Sequence, residues 1–377
     1  MLQERVSACL GQAVSAGRLV GGVVLVAKSG EKVVEAVAGM ADREVGRRMT
    51  ADAIFRYSSL TKPIVAAAAM ALVERGTIRL DEPVTRWVPE FAPRLAVGGE
   101  ARIEIRHLLT HTAGLGYAML QPAGGPYEKA GVSDGVAEPG LPMTEELERL
   151  ASVALEYPPG SAWGYSLAYD VLGELLARAA GATLQEVVGA TVTRPLGMRD
   201  TAFSVMDLAR LAVPYVSGKP QHRMSDPEVV PFLPDTAGIR FSPSRIFNPQ
   251  SFASGGVGMA GTAGDFLKFL AAVQSGGAPI LQPATARQMM SNQIGALRIT
   301  TEQTPSWGFG FGGAVLLDAA LAGTPQGPGT WKWGGIYGHH WYVDPVNRLI
   351  VVAMTNTAIE GMAGGFVGQL MSAVYGR

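Results

Sequence analysis

Ser59 and Lys62 stand three residues apart, where an extended segment at 55–58 gives way to a strongly helical run at 64–75 ended by Gly76. Side chains at that spacing share one helix face and can meet at its end. The chemistry open to such a pair is nucleophilic. Free N–H groups and the positive end of the helix favour charge developing on a serine oxygen. An amine beside an apolar run should give up its proton more readily than in water, and can then accept the serine proton. Pro63 suits the first turn, where its missing N–H has no intrahelical acceptor to lose. The same pattern also describes a helix-capping serine followed by a solvent-facing lysine. The almost wholly apolar run behind Lys62 makes that surface role harder to place.

Two further segments carry residue types that a split active site needs. Tyr165-Ser166-Leu167 follows the turn-rich stretch 158–164 and precedes a helical pattern. A phenol held near a lysine can shuttle a proton between nucleophile and leaving group, although a buried tyrosine anchoring a loop fits the sequence too. Trp333-Gly334-Gly335 sits in a strand context before Ile336. Paired glycines let the backbone run close to a ligand and aim an N–H at a developing oxyanion, and they equally suit sheet packing at a twisted edge.

The elements that must position these residues follow from periodicity. A helix over 3–16 leads into strands at 19–27 and 33–38 joined by the turn 28–31. Helical patterns recur at 105–109, 144–151, 166–180, 183–192 and 265–272. The Gly/Pro-rich stretches 113–142 and 212–258 are longer than ordinary connections and read as cleft walls. Strand signals return at 307–317, 329–333, 339–343 and 349–355, with Asp344-Pro345-Val346-Asn347 as a hairpin turn, and a helix closes the chain at 361–374. The order implies an α+β fold. Residues 1–82 and 259–377 would form an α/β domain with an antiparallel sheet flanked by helices, 83–258 a mainly helical domain, and the cleft would lie between them.

Composition narrows the function classes. Among 377 residues, 31 Lys and Arg offset 32 Asp and Glu, so the balance asks for neither nucleic acid nor an anionic membrane surface. The most apolar stretch, 64–73, is far shorter than the roughly 20 residues needed to span a bilayer. Glu4 and Arg5 interrupt any secretory core at the start, so a cytoplasmic protein without membrane insertion is expected. The lone Cys9 reads as a packed thiol in the opening helix. Gly131-Val132-Ser133-Asp134-Gly135 matches the Gly-x-Ser-x-Gly pattern, yet it lies in a turn-rich stretch instead of a strand–turn–helix elbow, so Ser133 is not taken as a nucleophile. Of the five histidines, His107 and His111 are four apart with no His-Glu-x-x-His pattern or carboxylate set, and His339 reads as packing or secondary hydrogen bonding. No metal and no cofactor are expected.

Taken together, these segments resemble the serine β-lactamase and penicillin-binding protein superfamily, and within it the EstB-type family VIII carboxylesterases related to class C β-lactamases. The likeness runs through 55–76, the stretch from His107 to Leu115, Pro195-Leu196-Gly197-Met198, Trp307-Gly308-Phe309-Gly310 and Thr355-Asn356-Thr357. It implies a β-lactamase-like fold with Ser59 as the acylated nucleophile, Lys62 as its partner and Tyr165 as the catalytic tyrosine. It also implies an oxyanion hole made by the backbone N–H groups of Ser59 and Ile336. Trp333-Gly334-Gly335 stands where relatives carry Lys-Thr-Gly, and Leu167 stands where β-lactamases usually have asparagine. Losing the lysine removes a point charge opposite a substrate carboxylate and puts an aromatic wall in its place. The expectation is therefore a carboxylic-ester hydrolase acting on short-chain or moderately hydrophobic small-molecule esters, with cephalosporin deacetylation implied by likeness. A β-lactamase or D-alanyl-D-alanine carboxypeptidase using the same pair is the alternative, and a catalytically silent scaffold a third. The sequence does not argue for or against a homo-oligomer.

Overall fold

The computed structural model describes residues 1–218, 220–302 and 305–376. Its main feature is an eight-stranded antiparallel sheet drawn from both chain ends. The strands are β1 (Gly21–Lys28), β2 (Glu31–Asp42), β3 (Arg47–Arg48), β4 (Trp307–Phe309), β5 (Ala314–Leu316), β6 (Trp331–Gly335), β7 (His339–Asp344) and β8 (Leu349–Thr355), in the spatial order β4-β5-β6-β7-β8-β1-β2-β3. β1 and β8 pair from Gly22↔Thr355 to Lys28↔Leu349, which joins the two halves of the sequence.

Successive strand residues point to opposite faces, and the apolar residues divide accordingly. Val24 and Val26 of β1 join Tyr342, Val351 and Ala353 beneath α1 (Leu2–Ser15) and the last helix (Gly365–Tyr375). Val23 and Leu25 join Trp341, Val343, Ile350 and Val352 in the larger core on the other side. That core contains α2 (Thr61–Glu74), every residue of which is buried from Thr61 to Leu72. A helix apolar all round belongs between layers, and α2 runs under α3 (Ala168–Ala180) on its far side, with α4 (Ala263–Gln274) lying along β8 and β1. The segment between the two sheet halves supplies α3, the helices Ile105–Leu109 and Met143–Ala151, and short ribbons such as Glu228–Val230 with Ile239–Phe241. No helix among the described residues is long and apolar enough to cross a membrane.

Three expected elements break where the sequence read as continuous. The 307–317 strand is a hairpin of β4 and β5: Gly312 takes φ +84° and passes so close to α2 that a Cβ there would lie 2.5 Å from Pro63 Cα. The 183–192 helix is α-helical only over Leu184–Val188 and continues as a π turn through Gly189–Thr193. The closing helix is interrupted at Gly364, and the Glu360 carboxylate accepts from the Phe366 N–H at 3.0 Å to start the final segment.

Burial also leaves carboxyl groups with a pH signature. Glu146 accepts from the Ser133 N–H at 3.0 Å, and burial raises its pKa to about 8. Burial raises Asp134 to about 7 despite two backbone donors. A carboxyl group whose folded pKa lies above the unfolded value of about 4 binds its proton more tightly in the native state, so its contribution is fully present below pH ~4 and lost as pH rises through the folded pKa. The melting temperature is expected to fall between pH 5 and pH 8.5. Glu146→Gln should flatten part of that slope in thermal melts recorded across the range, whereas an unchanged slope in the variant would exclude Glu146 as its source.

Candidate active site

The turn that carries Ser59 is clamped before the helix begins. Strand Ile54–Arg56 pairs with Ala260–Thr262, the Tyr57 N–H donates to Met259 O at 2.8 Å, and the Tyr57 hydroxyl donates to Thr262 O at 2.6 Å. Ser58 then adopts φ +47°, a left-handed conformation costly for a residue with a Cβ, and its hydroxyl donates to Tyr57 O at 2.7 Å. A 3-10 turn over Ser58–Leu60 follows and runs straight into α2, leaving Ser59 just ahead of the first helical residues.

Ser59 is 4% exposed and Lys62 is fully buried. The Ser59 Oγ lies 2.7 Å from the Tyr165 hydroxyl, and Lys62 Nζ donates to Ser59 Oγ at 3.3 Å and to the Gly256 carbonyl at 3.0 Å. The Lys62 Nζ is roofed by aromatic rings, with centroids at 4.7 Å for Tyr165, 5.5 Å for Tyr117 and 6.0 Å for Tyr169. Neither the 3-10 turn nor α2 has a side-chain cap. The capping-serine and surface-lysine reading of the motif is therefore excluded.

Trp333-Gly334-Gly335 ends β6 against the same turn. A Cβ on Gly335 would sit 2.6 Å from Ser58 Oγ and 2.7 Å from Tyr57 O, so only glycine permits this approach. Ile336 is the next residue and is buried. The Trp333 indole N–H donates to the Tyr165 hydroxyl at 3.3 Å, and its ring meets Phe309 edge-on at 5.4 Å. Ser59, Lys62, Tyr165 and Trp333 thus form one hydrogen-bonded chain, with Gly334 and Gly335 bringing the sheet edge up to it.

Other predicted positions take structural duties. Ser133 is buried, its hydroxyl donating to Glu138 at 2.6 Å, so the Gly-x-Ser-x-Gly match is a pinned loop. His107 Nδ1 accepts from the Glu104 N–H at 3.1 Å in a helix cap. His339 shares a hydrogen bond with Arg56 O at 2.8 Å, and burial lowers its pKa to about 4. Cys9 is buried. Among the described residues no group of three or more His, Cys, Asp or Glu is placed to hold a metal ion.

Sequence reasoning missed four groups around the lysine. His111 is fully buried at φ +57°, its ring 4.8 Å from that of Tyr165, and burial followed by the Lys62 charge pushes its pKa well below the ordinary value. Tyr117 is driven well above the usual phenol range by burial, then by Tyr165 and Asp170. Asp170 and Gly256 complete the set: a Cβ on Gly256 would lie 3.1 Å from Asp170 Oδ2 and 3.4 Å from both Lys62 Nζ and the Tyr117 hydroxyl. Asp170 sits in the first turn of α3, where an acid ordinarily reads as complementing the helix dipole.

A serine at the foot of a buried helix, a lysine one turn on, and an antiparallel sheet edge laid against them define the class of β-lactamase-like serine enzymes. The chain belongs to the Beta-lactamase family, whose model matches residues 6–368. It is 48% identical to Esterase EstB of Burkholderia gladioli over 100% of this chain and 96% of that protein. Among solved structures it resembles EstCE1, described as a hydrolase with promiscuous acyltransferase activity, with TM-score 0.94, 44% identity and coverage of 99% of this chain and 98% of the other. The unliganded simvastatin synthase LovD of Aspergillus terreus shares the fold, with TM-score 0.76 at 21% identity over 100% of this chain and 98% of the other.

Proposed function

We propose that this enzyme is a carboxylic-ester hydrolase that works through an acyl group on Ser59. The observation that carries the reading is the Ser59 hydroxyl held at once by Tyr165 at 2.7 Å and Lys62 at 3.3 Å. Ser59 attacks the ester carbonyl as its proton passes into the Tyr165–Lys62 unit. Tyr165 returns a proton to the departing alkoxide, and water activated by the same unit then releases the acid. The backbone N–H groups of Ser59 and Ile336 receive the oxyanion, helped by the start of α2. The cleft lies between the part formed by 1–82 and 259–377 and the part formed by 83–258.

The substrate class follows from the wall. Trp333 offers an indole where a lysine would meet a carboxylate, and the partly exposed rings of Trp333 and Tyr165 form an aromatic surface backed by the buried Trp163 and Phe309. Small, short-chain or moderately hydrophobic esters suit it better than the anionic ligands of a β-lactamase or carboxypeptidase, and removal of the acetyl ester from cephalosporins rests on the likeness to EstB alone. The same aromatic surface favours a second reading, transfer of the acyl group to an alcohol, in keeping with the description of EstCE1. On one preparation, kcat/KM for p-nitrophenyl butyrate is expected to exceed that for nitrocefin by at least about 100-fold, and added primary alcohol should yield ester product. Fast lactam opening with negligible ester turnover would overturn the assignment.

A further inference from the structure

We propose that Asp170 is a positioning residue for Lys62, acting through the Ser254–Gly256 segment. This rests on the reading of Lys62 as part of the proton-accepting unit. Asp170 is 2% exposed. Its Oδ1 accepts from the Ser254 hydroxyl and from the Gly256 N–H at 3.4 Å. The Gly256 carbonyl in turn accepts from Lys62 Nζ at 3.0 Å. The Ser254 hydroxyl also accepts from the Val257 N–H at 3.0 Å, so one carboxylate organises the whole bend that presents the carbonyl.

The second oxygen adds an electrostatic reason. Asp170 Oδ2 is buried without a hydrogen-bond partner among the described residues and faces the same small space as the Tyr117 hydroxyl. Both lie with Lys62 Nζ within 3.4 Å of the point where a Gly256 Cβ would be. Burial raises the Asp170 pKa, opposed by the Ser254 hydrogen bond and then by the Lys62 charge. A buried carboxylate oxygen left short of a partner is costly unless a polar group faces it, and the Lys62 amine is the group that does. α3 therefore carries Asp170, which fixes Lys62 through Gly256, five residues after Tyr165, which touches Ser59 directly. The two halves of the proton-accepting unit are set by one stretch of chain. A methyl group on Gly256 would press on the Asp170 carboxylate at 3.1 Å and reach contact distance of the amine and the phenol.

The test is a double-mutant cycle on kcat/KM for p-nitrophenyl butyrate, with melting temperatures to establish folding. Asp170→Asn is expected to lower kcat on the order of 10–100-fold, as loss of an orienting partner does, with KM changed less than about threefold. In a Lys62→Met background the same substitution should cost nothing further, because the residue it positions is already gone. A general packing defect would instead multiply the two losses. Should Asp170→Asn fail to fold, Ser254→Ala removes one of its donors and is expected to give a smaller loss with the same non-additivity. A parent-like rate for folded Asp170→Asn or Ser254→Ala, or a full multiplicative loss in the Lys62→Met background, would overturn the positioning role while leaving Lys62 intact. A parent-like rate for Lys62→Met alone would overturn the assignment of the base itself.

Discussion

Ser59→Ala is expected to reduce ester turnover to about a thousandth of the parent rate or less, the scale on which loss of a nucleophile acts. The protein should stay folded, since the change removes one hydroxyl and two hydrogen bonds, to Tyr165 and from Lys62. The measurement that isolates the nucleophile is intact mass after a fluorophosphonate probe, followed by sequencing of the labelled peptide. One adduct should map to Ser59 in the parent and none should form in the variant. Ser133→Ala should run at the parent rate, because that hydroxyl is engaged with Glu138 in a loop. An adduct on another residue, or full activity in Ser59→Ala, would remove the central assignment.

The second large effect is at the proton-accepting unit. Lys62 is fully buried, so methionine, which keeps the stem and loses the amine, is the fair substitution. Alanine would add the cost of a cavity. Lys62→Met and Tyr165→Phe are each expected to lower kcat/KM on the order of 100-fold or more. Combined, they should cost far less than the product, since both serve the same proton. Phenylalanine keeps the ring over the lysine but loses the bond to Ser59 and the acceptor for the Trp333 indole. Near-parent rates in both single variants would reject the scheme.

The local part of the site was legible because its logic is local. Serine and lysine three apart ahead of an apolar helix share one face, and the structure holds them 3.3 Å apart at its foot. The sheet built from both chain ends was legible for a similar reason, since β1, β7 and β8 are short runs buried along nearly their whole length, while β2 alternates exposed and buried positions at Val33 to Val37. What the sequence did not disclose depends on distant partners. The Trp333–Tyr165 hydrogen bond spans 168 positions. The Asp170–Gly256 contact spans 86, and it makes an ordinary first-turn acid into part of the lysine's surroundings. The hairpin between β4 and β5 was misread because both strands are apolar; Gly312 and Gly313 were the available sign of a turn. The break at Gly364 escaped because flanking residues keep helical spacing, while the Glu360 carboxylate restarts the helix beyond it.

The pairing of β1 with β8 has a consequence for biosynthesis. The hairpin of β1 and β2 leaves the ribosome early, yet the neighbour that covers its inner edge ends at Thr355. At the usual elongation pace of about 5–20 residues per second, that edge waits roughly 15 to 65 s for its mate. Throughout that interval the nascent chain displays a row of unpaired valines that can recruit another polypeptide. Yield of this enzyme in a cell should therefore respond to holdase supply and translation speed more than the stability of the finished molecule would suggest.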